Sequence, residues 1–114
     1  MKAIIEIARR NSIFDAARAD IAAGGSEDFH LSFESARLLF SELTPARLDL
    51  LNTLRKSGPC TVYALAKAAD RNYSNVHTDV ARMIDLGLIE RTEDEMVFVP
   101  FDDVEVHFRL AAAA

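Results

Sequence analysis

The 114-residue chain has no tryptophan, one cysteine, three prolines, four glycines and three histidines. The scarcities of cysteine, histidine and glycine each close off a class of protein. A lone Cys60 cannot form an internal disulfide, so the fold must rest on packing, as in a reducing, cytoplasmic setting. His30, His77 and His107 are scattered, with no CxxC, HxxxH or HExxH spacing, so no metal site is expected. There is no glycine-rich phosphate loop; Gly24-Gly25 reads as a helix stop. No apolar run approaches the roughly 18 residues that cross a membrane. The opening MKAIIEIARR is too short in its apolar core, and interrupted by Glu6, to be read as a signal peptide. Cys60, ahead of a helix, reads as a packed cysteine rather than a nucleophile. Asp102 and Asp103 are neighbours in an extended segment, where side chains point to opposite sides and make a poor acid–base pair. No catalytic constellation and no cofactor site remain, and an enzyme is not expected.

An excess of positive charge is missing too: the net charge is −5. The deficit is uneven. Residues 44–91 hold seven Lys/Arg against five Asp/Glu, residues 1–43 five against seven, and residues 92–114 one against six. Only the middle segment is suited to a polyanion, and by a small margin. Half of the residues are hydrophobic, enough for the core of one small domain with an appended segment. The closing Ala111–Ala114 run is the only low-complexity stretch and is set aside as a tail.

The pattern divides the chain into residues 1–43, 44–100 and 101–114. In the first, Ala3, Ile5 and Ile7 alternate with polar or second-face positions, predicting a strand over residues 2–8. Asn11 or Ser12 caps a helix to about Ala23, with Ile13, Phe14, Ala17 and Ile21 on its apolar side. Phe29, Leu31 and Phe33 predict a second strand, and residues 35–42 a short helical turn. This is a β-α-β piece of undetermined strand order. From Thr44 the period turns helical. Thr44 is an N-cap with Pro45 behind it, and Leu48, Leu51 and Leu54 recur until Ser57-Gly58-Pro59. Thr61 caps a second helix to about Ala69, and Asp70-Arg71-Asn72 is a tight polar turn. A third helix runs from about Tyr73 with Val76, Val80, Met83 and Ile84 inward, closed by Gly87. Leu88–Arg91 and Met96–Val99 then flank Thr92–Glu95 as a hairpin. The expected fold is α+β: a winged helix-turn-helix with a short N-terminal β-α-β segment and a C-terminal strand.

The third helix carries the functional signal. At 100° per residue, Ser74, His77, Thr78, Ala81 and Arg82 lie opposite Val76, Val80 and Met83, with Asn75 on the flank. A plain solvated face is usually rich in Lys and Glu; this one offers side chains that hydrogen-bond base edges and phosphates, with Ala81 allowing close approach. Arg71, Asn72 and Tyr73 stand at its N-terminal end, where the helix dipole favours a phosphate. Together with Arg47 these are the candidate contacts to double-stranded operator DNA. Asp79 is expected to orient Arg71 or Arg47. The acidic tip Glu93-Asp94-Glu95 would be repelled by phosphates and reads as a solvated turn, with a surface for a basic partner protein as the alternative.

The stretch LTPARLDLLNTLRKSGPCTVYALAKAADRNYSNVHTDVARMIDLGLIE resembles the small MarR-like winged-helix regulators that serve as antitoxins in type II toxin–antitoxin pairs. The matching pieces are Leu43-Thr44-Pro45 with Arg47 and Leu50-Leu51, Leu65-Ala66, Arg71, Val76 with Asp79, and Leu86-Gly87-Leu88-Ile89. The closing VPFDDVEVHF is similar as well, so the resemblance covers residues 33–108. It departs at Asp70, where the family usually has glycine, and at Thr78, where a basic residue is frequent. The resemblance implies a regulator that neutralises a toxin by direct binding and represses its own operon. A winged-helix interaction module without DNA binding is the alternative.

A partner protein needs apolar surface away from the third helix. Val104, Val106, Phe108 and Leu110 alternate with Asp103, Glu105, His107 and Arg109, an amphipathic strand that either completes the N-terminal sheet or pairs with another molecule. Phe29, Leu31, Phe33, Val106 and Phe108 are the candidate partner-binding residues, for a toxin or for a second copy in a homodimer.

Overall fold

The computed structural model describes residues 1–8 and 28–110. The helix expected over residues 11–23 and the alanine tail lie outside the described residues. The chain divides into two compact units: residues 1–42 with 101–114, and residues 43–100.

The first unit is built on a three-stranded parallel sheet. Strands β1 (Lys2–Ile7), β2 (Phe29–Phe33) and β5 (Asp103–His107) are ordered β2-β1-β5. Ala3 pairs with Phe29 and Val104, and Ile5 with Leu31 and Val106. Partners in register share a face, so the apolar alternation of all three strands falls on one side of the sheet. On the other side Lys2 Nζ meets Glu105 at 2.7 Å, His107 Nε2 meets the other Glu105 oxygen at 3.1 Å, and His30 stands 3.5 Å from Glu6. The hydrogen bond between Lys2 and Glu105 raises the lysine and lowers the carboxyl from their ordinary values. Helix α1 (Ala36–Glu42) buries Leu39, and its Phe40 ring meets Phe108 edge-on at 6.4 Å. The amphipathic C-terminal strand therefore does pair within its own chain, across a sequence separation of about a hundred residues, yet Val106 and Phe108 stay 40% and 53% exposed.

The second unit follows local rules closely. Helix α2 (Pro45–Ser57) starts where Thr44 Oγ1 accepts the Arg47 amide at 3.2 Å and stops at Gly58, whose amide returns to Leu54. Thr61 caps α3 (Val62–Ala69) in the same way, through the Ala64 amide at 3.1 Å. Asn72 caps α4 (Tyr73–Asp85), its side-chain oxygen accepting from Ser74 and Asn75. Helices α3 and α4 end alike. Asp70 (φ 54°) and Gly87 (φ 85°) adopt the left-handed conformation, and the next amide reaches back five residues, Arg71 to Ala66 and Leu88 to Met83. This is the Schellman closure.

The three helices enclose Leu50, Leu54, Leu65, Val76, Val80 and Met83, all essentially inaccessible to water. Ile84, expected inward, is half-buried. The hairpin is present but shorter than its alternation predicted: β3 (Glu90–Arg91) pairs antiparallel with β4 (Val97–Phe98). Leu88 and Ile89 turn into the core directly after Gly87, which leaves only two residues for the ladder. Cys60 joins Val97 by two backbone hydrogen bonds of 3.1 and 2.7 Å, adding a third strand position at the root of the wing. The order helix, helix, tight turn, helix, hairpin is that of a winged helix-turn-helix.

Candidate nucleic-acid interface

The apolar side of α4 is sealed against the core, so its polar side must face outward. Asn72, Tyr73, Ser74, Asn75, His77, Thr78 and Ala81 are exposed, and Arg82 is half-buried. The candidate DNA contacts divide by what already occupies them.

Arg47 and Arg71 form one cluster. Arg47 Nε donates to Asp79 Oδ1 at 3.0 Å and Arg71 Nη2 to Asp79 Oδ2 at 2.8 Å. A single carboxylate on α4 thus ties down the start of α2 and the turn before α4. Burial alone would raise the Asp79 carboxyl; the hydrogen bonds from Arg71 and then Arg47, with their charges, outweigh it and hold the group below the usual range. The Asp79 side chain is only 15% exposed, and Arg71 Nη1 is buried with no hydrogen-bond partner among the described residues. Both guanidiniums, expected at the DNA, are thus engaged in joining helices.

Two polar residues also have local duties. Asn72 spends its side-chain oxygen on the first amides of α4, and Thr78 Oγ1 donates to the Ser74 carbonyl at 3.1 Å. The amides of Ser74 and Asn75, which would otherwise point at a phosphate, are occupied by that cap. Tyr73, Ser74, Asn75 and His77 remain as the open outer face.

An aromatic feature that periodicity did not single out stands beside them. Tyr63, on the first turn of α3, is 60% exposed, and Tyr73 49%. Their ring centroids lie 6.5 Å apart; Tyr73 is 5.8 Å from the His77 ring, and Lys67 Nζ sits 5.2 Å from the centre of Tyr63. This row separates two shallow clefts. One runs along Lys67, Asp70, Arg71 and Asn72, the other along Thr61, Val62, His77, Arg91 and Glu95 at the foot of the wing. The signal for Tyr63 in the sequence was an aromatic two residues after a cap, on the helix face opposite Leu65. Tyr63, Lys67 and Arg91 therefore join the candidate surface. Beyond Arg91 the wing tip is Glu93, Asp94 and Glu95, all exposed, with Arg91 3.7 Å from Glu95.

The candidate partner-binding residues also divide. Phe29, Leu31 and Phe33 are half-buried in β2, whereas Val106 and Phe108 are open. Among the described residues no group of three or more His, Cys, Asp or Glu is placed to hold a metal ion, and no helix is long and apolar enough to cross a membrane.

The sequence model of the HVO_A0114 family matches residues 42–106, from the end of α1 through most of β5. No curated protein matches the chain. Among solved structures, NolR from Sinorhizobium fredii is similar at 22% identity over 78% of both chains, with a TM-score of 0.47.

Proposed function

The chain belongs to the HVO_A0114 family, and we propose that it is a DNA-binding transcriptional regulator that uses α4 as its reading helix. The observation that carries this reading is the composition of the outer face of α4. Tyr73, Ser74, Asn75, His77 and Thr78 are exposed in a row on a helix locked by its caps and by Asp79. In the major groove Ser74, Asn75 and His77 meet base edges, with Ala81 permitting close approach. Lys67, Arg82 and Arg91 neutralise phosphates on either side, and the Tyr63 and Tyr73 hydroxyls donate to the backbone. Arg47 and Arg71 act one step back, fixing the angle between α2 and α4 through Asp79. Two copies acting on paired half-sites supply the affinity that so few cations in one copy cannot.

The test is selection of bound duplexes from a random pool by the purified chain, followed by gel shifts on the enriched sequence. His77→Ala and Asn75→Ala each weaken that sequence by about 1–3 kcal/mol and relax one position. Lys67→Ala weakens all sequences alike. Failure to enrich any sequence, with no salt-dependent binding, overturns the reading in favour of an interaction module.

The finer reading is an antitoxin that neutralises a toxin and represses its own operon; its support is the sequence resemblance over residues 33–108. In that reading the toxin docks on the apolar side of the sheet, where Phe40 and Phe108 stay open. Co-expression with the product of the adjacent reading frame decides it. Rescue of growth that Phe108→Asp abolishes supports the antitoxin, and no growth defect to rescue leaves an ordinary repressor.

A further inference from the structure

Strand β5 is an edge of the three-stranded sheet, and among the described residues nothing pairs with its outer side. The Val104 amide donates to the carboxylate of its own neighbour, Asp103, at 3.0 Å. Backbone groups alternate sides along a strand, so the amides of Val104 and Val106 face the open side. An unpaired edge of this kind is a template for another strand.

The residues of that edge are complementary to themselves. We propose that the chain forms a two-fold dimer in which β5 pairs antiparallel with β5 of a second copy, in the register centred on Val106. In that register Val106 faces Val106, and Val104 faces Phe108, on the apolar side. On the polar side Glu105 faces His107 and Asp103 faces Arg109, each pair occurring twice by symmetry. Val106 and Phe108, left 40% and 53% exposed by the single chain, acquire apolar neighbours. The Lys2–Glu105–His107 contacts on the polar side continue into the second copy.

Neighbouring registers are worse on charge. A two-fold centred on Glu105 sets two carboxylates against each other on the axis, and one centred on Val104 sets Asp103 against Glu105. One centred on His107 sets Glu105 against Arg109 but leaves Asp103 with no basic residue opposite it. Only registers with a residue on the axis keep the apolar side of both copies on one face of a six-stranded sheet. Like charges directly opposite are destabilising and opposite charges stabilising in such pairs; the Val106 register is the one that sets both Asp103 and Glu105 against a basic residue, so it is selected. The inference rests on β5 alone and is independent of whether α4 reads DNA.

The test uses the full chain in a Cys60→Ser background. Opposed residues at the axis of an antiparallel pair have Cα atoms about 5.5 Å apart, within disulfide reach. Val106→Cys is expected to form a covalent dimer on mild oxidation, while Glu105→Cys and His107→Cys are not. In sedimentation equilibrium without the cysteine variants, Arg109→Asp weakens association about tenfold or more. Asp103→Arg combined with Arg109→Asp restores it, with the circular dichroism spectrum unchanged throughout. A monomer at micromolar concentration overturns the proposal. So does a dimer that crosslinks through position 105 or 107 instead, or a charge reversal that the second substitution does not rescue.

Discussion

Asp79 is the residue that ties α4 to the start of α2 and to the turn before it. It receives Arg47 from the start of α2 and Arg71 from the turn before α4, and its carboxyl is held below its ordinary 3.8. A group whose folded-state value is depressed adds stability that is complete above the unfolded value and is lost as the pH falls through the folded one. Asp79→Asn is therefore expected to cost about 2–3 kcal/mol at neutral pH. The gap from the parent should close as the pH drops below 3.8, as urea titrations at stepped pH would show. Asn72 separates two roles that coincide in space. Asn72→Ser keeps the cap and Asn72→Ala loses it at about 1 kcal/mol. Equal DNA affinity for parent and serine variant would place Asn72 outside the readout.

At the scale of elements, the turn between α3 and α4 is the most constrained. Asp70 occupies a left-handed position (φ 54°) that a glycine would adopt without steric cost. Asp70 also lines the cleft beside Lys67 and Arg71. Asp70→Gly is expected to raise stability by up to about 1 kcal/mol and to strengthen DNA binding through loss of a negative charge. Thermal unfolding and gel shifts on the same preparation test both halves of that statement. The wing contrasts with this turn. Leu88, Ile89 and Val97 anchor its root in the core, while Glu93, Asp94 and Glu95 stand in solvent. The tip itself is closed by hydrogen bonds between Thr92 and Met96 and from the Glu95 amide to the Thr92 carbonyl.

Over the whole molecule the notable property is how little positive charge accompanies the winged helix-turn-helix. The chain carries a net −5, and of the cations near α4 two are committed to Asp79. If Lys67, Arg82 and Arg91 of two copies supply the phosphate contacts, about six counterions are released. The plot of log K against log salt should then have a slope near −5. A slope near −10 would mean that Arg47 and Arg71 leave Asp79 on binding.

The helix-turn-helix was legible in the residues because its limits are local. Thr44, Thr61, Asn72, Gly58 and Gly87 each act on amides or carbonyls within about five positions, and the apolar period of the three helices needs no partner to be read. The polar face of α4 followed from the same period. What the tertiary structure decided lies between residues far apart in the chain. The parallel order β2-β1-β5, the union of Lys2 with Glu105, and the sharing of Asp79 by Arg47 and Arg71 depend on which surfaces meet once the elements exist. So does the approach of Tyr63 to Tyr73, ten residues away on another helix. Alternation shows that β5 has an apolar side. Only the pairing with β1 decides which of its two edges is left unpaired among the described residues.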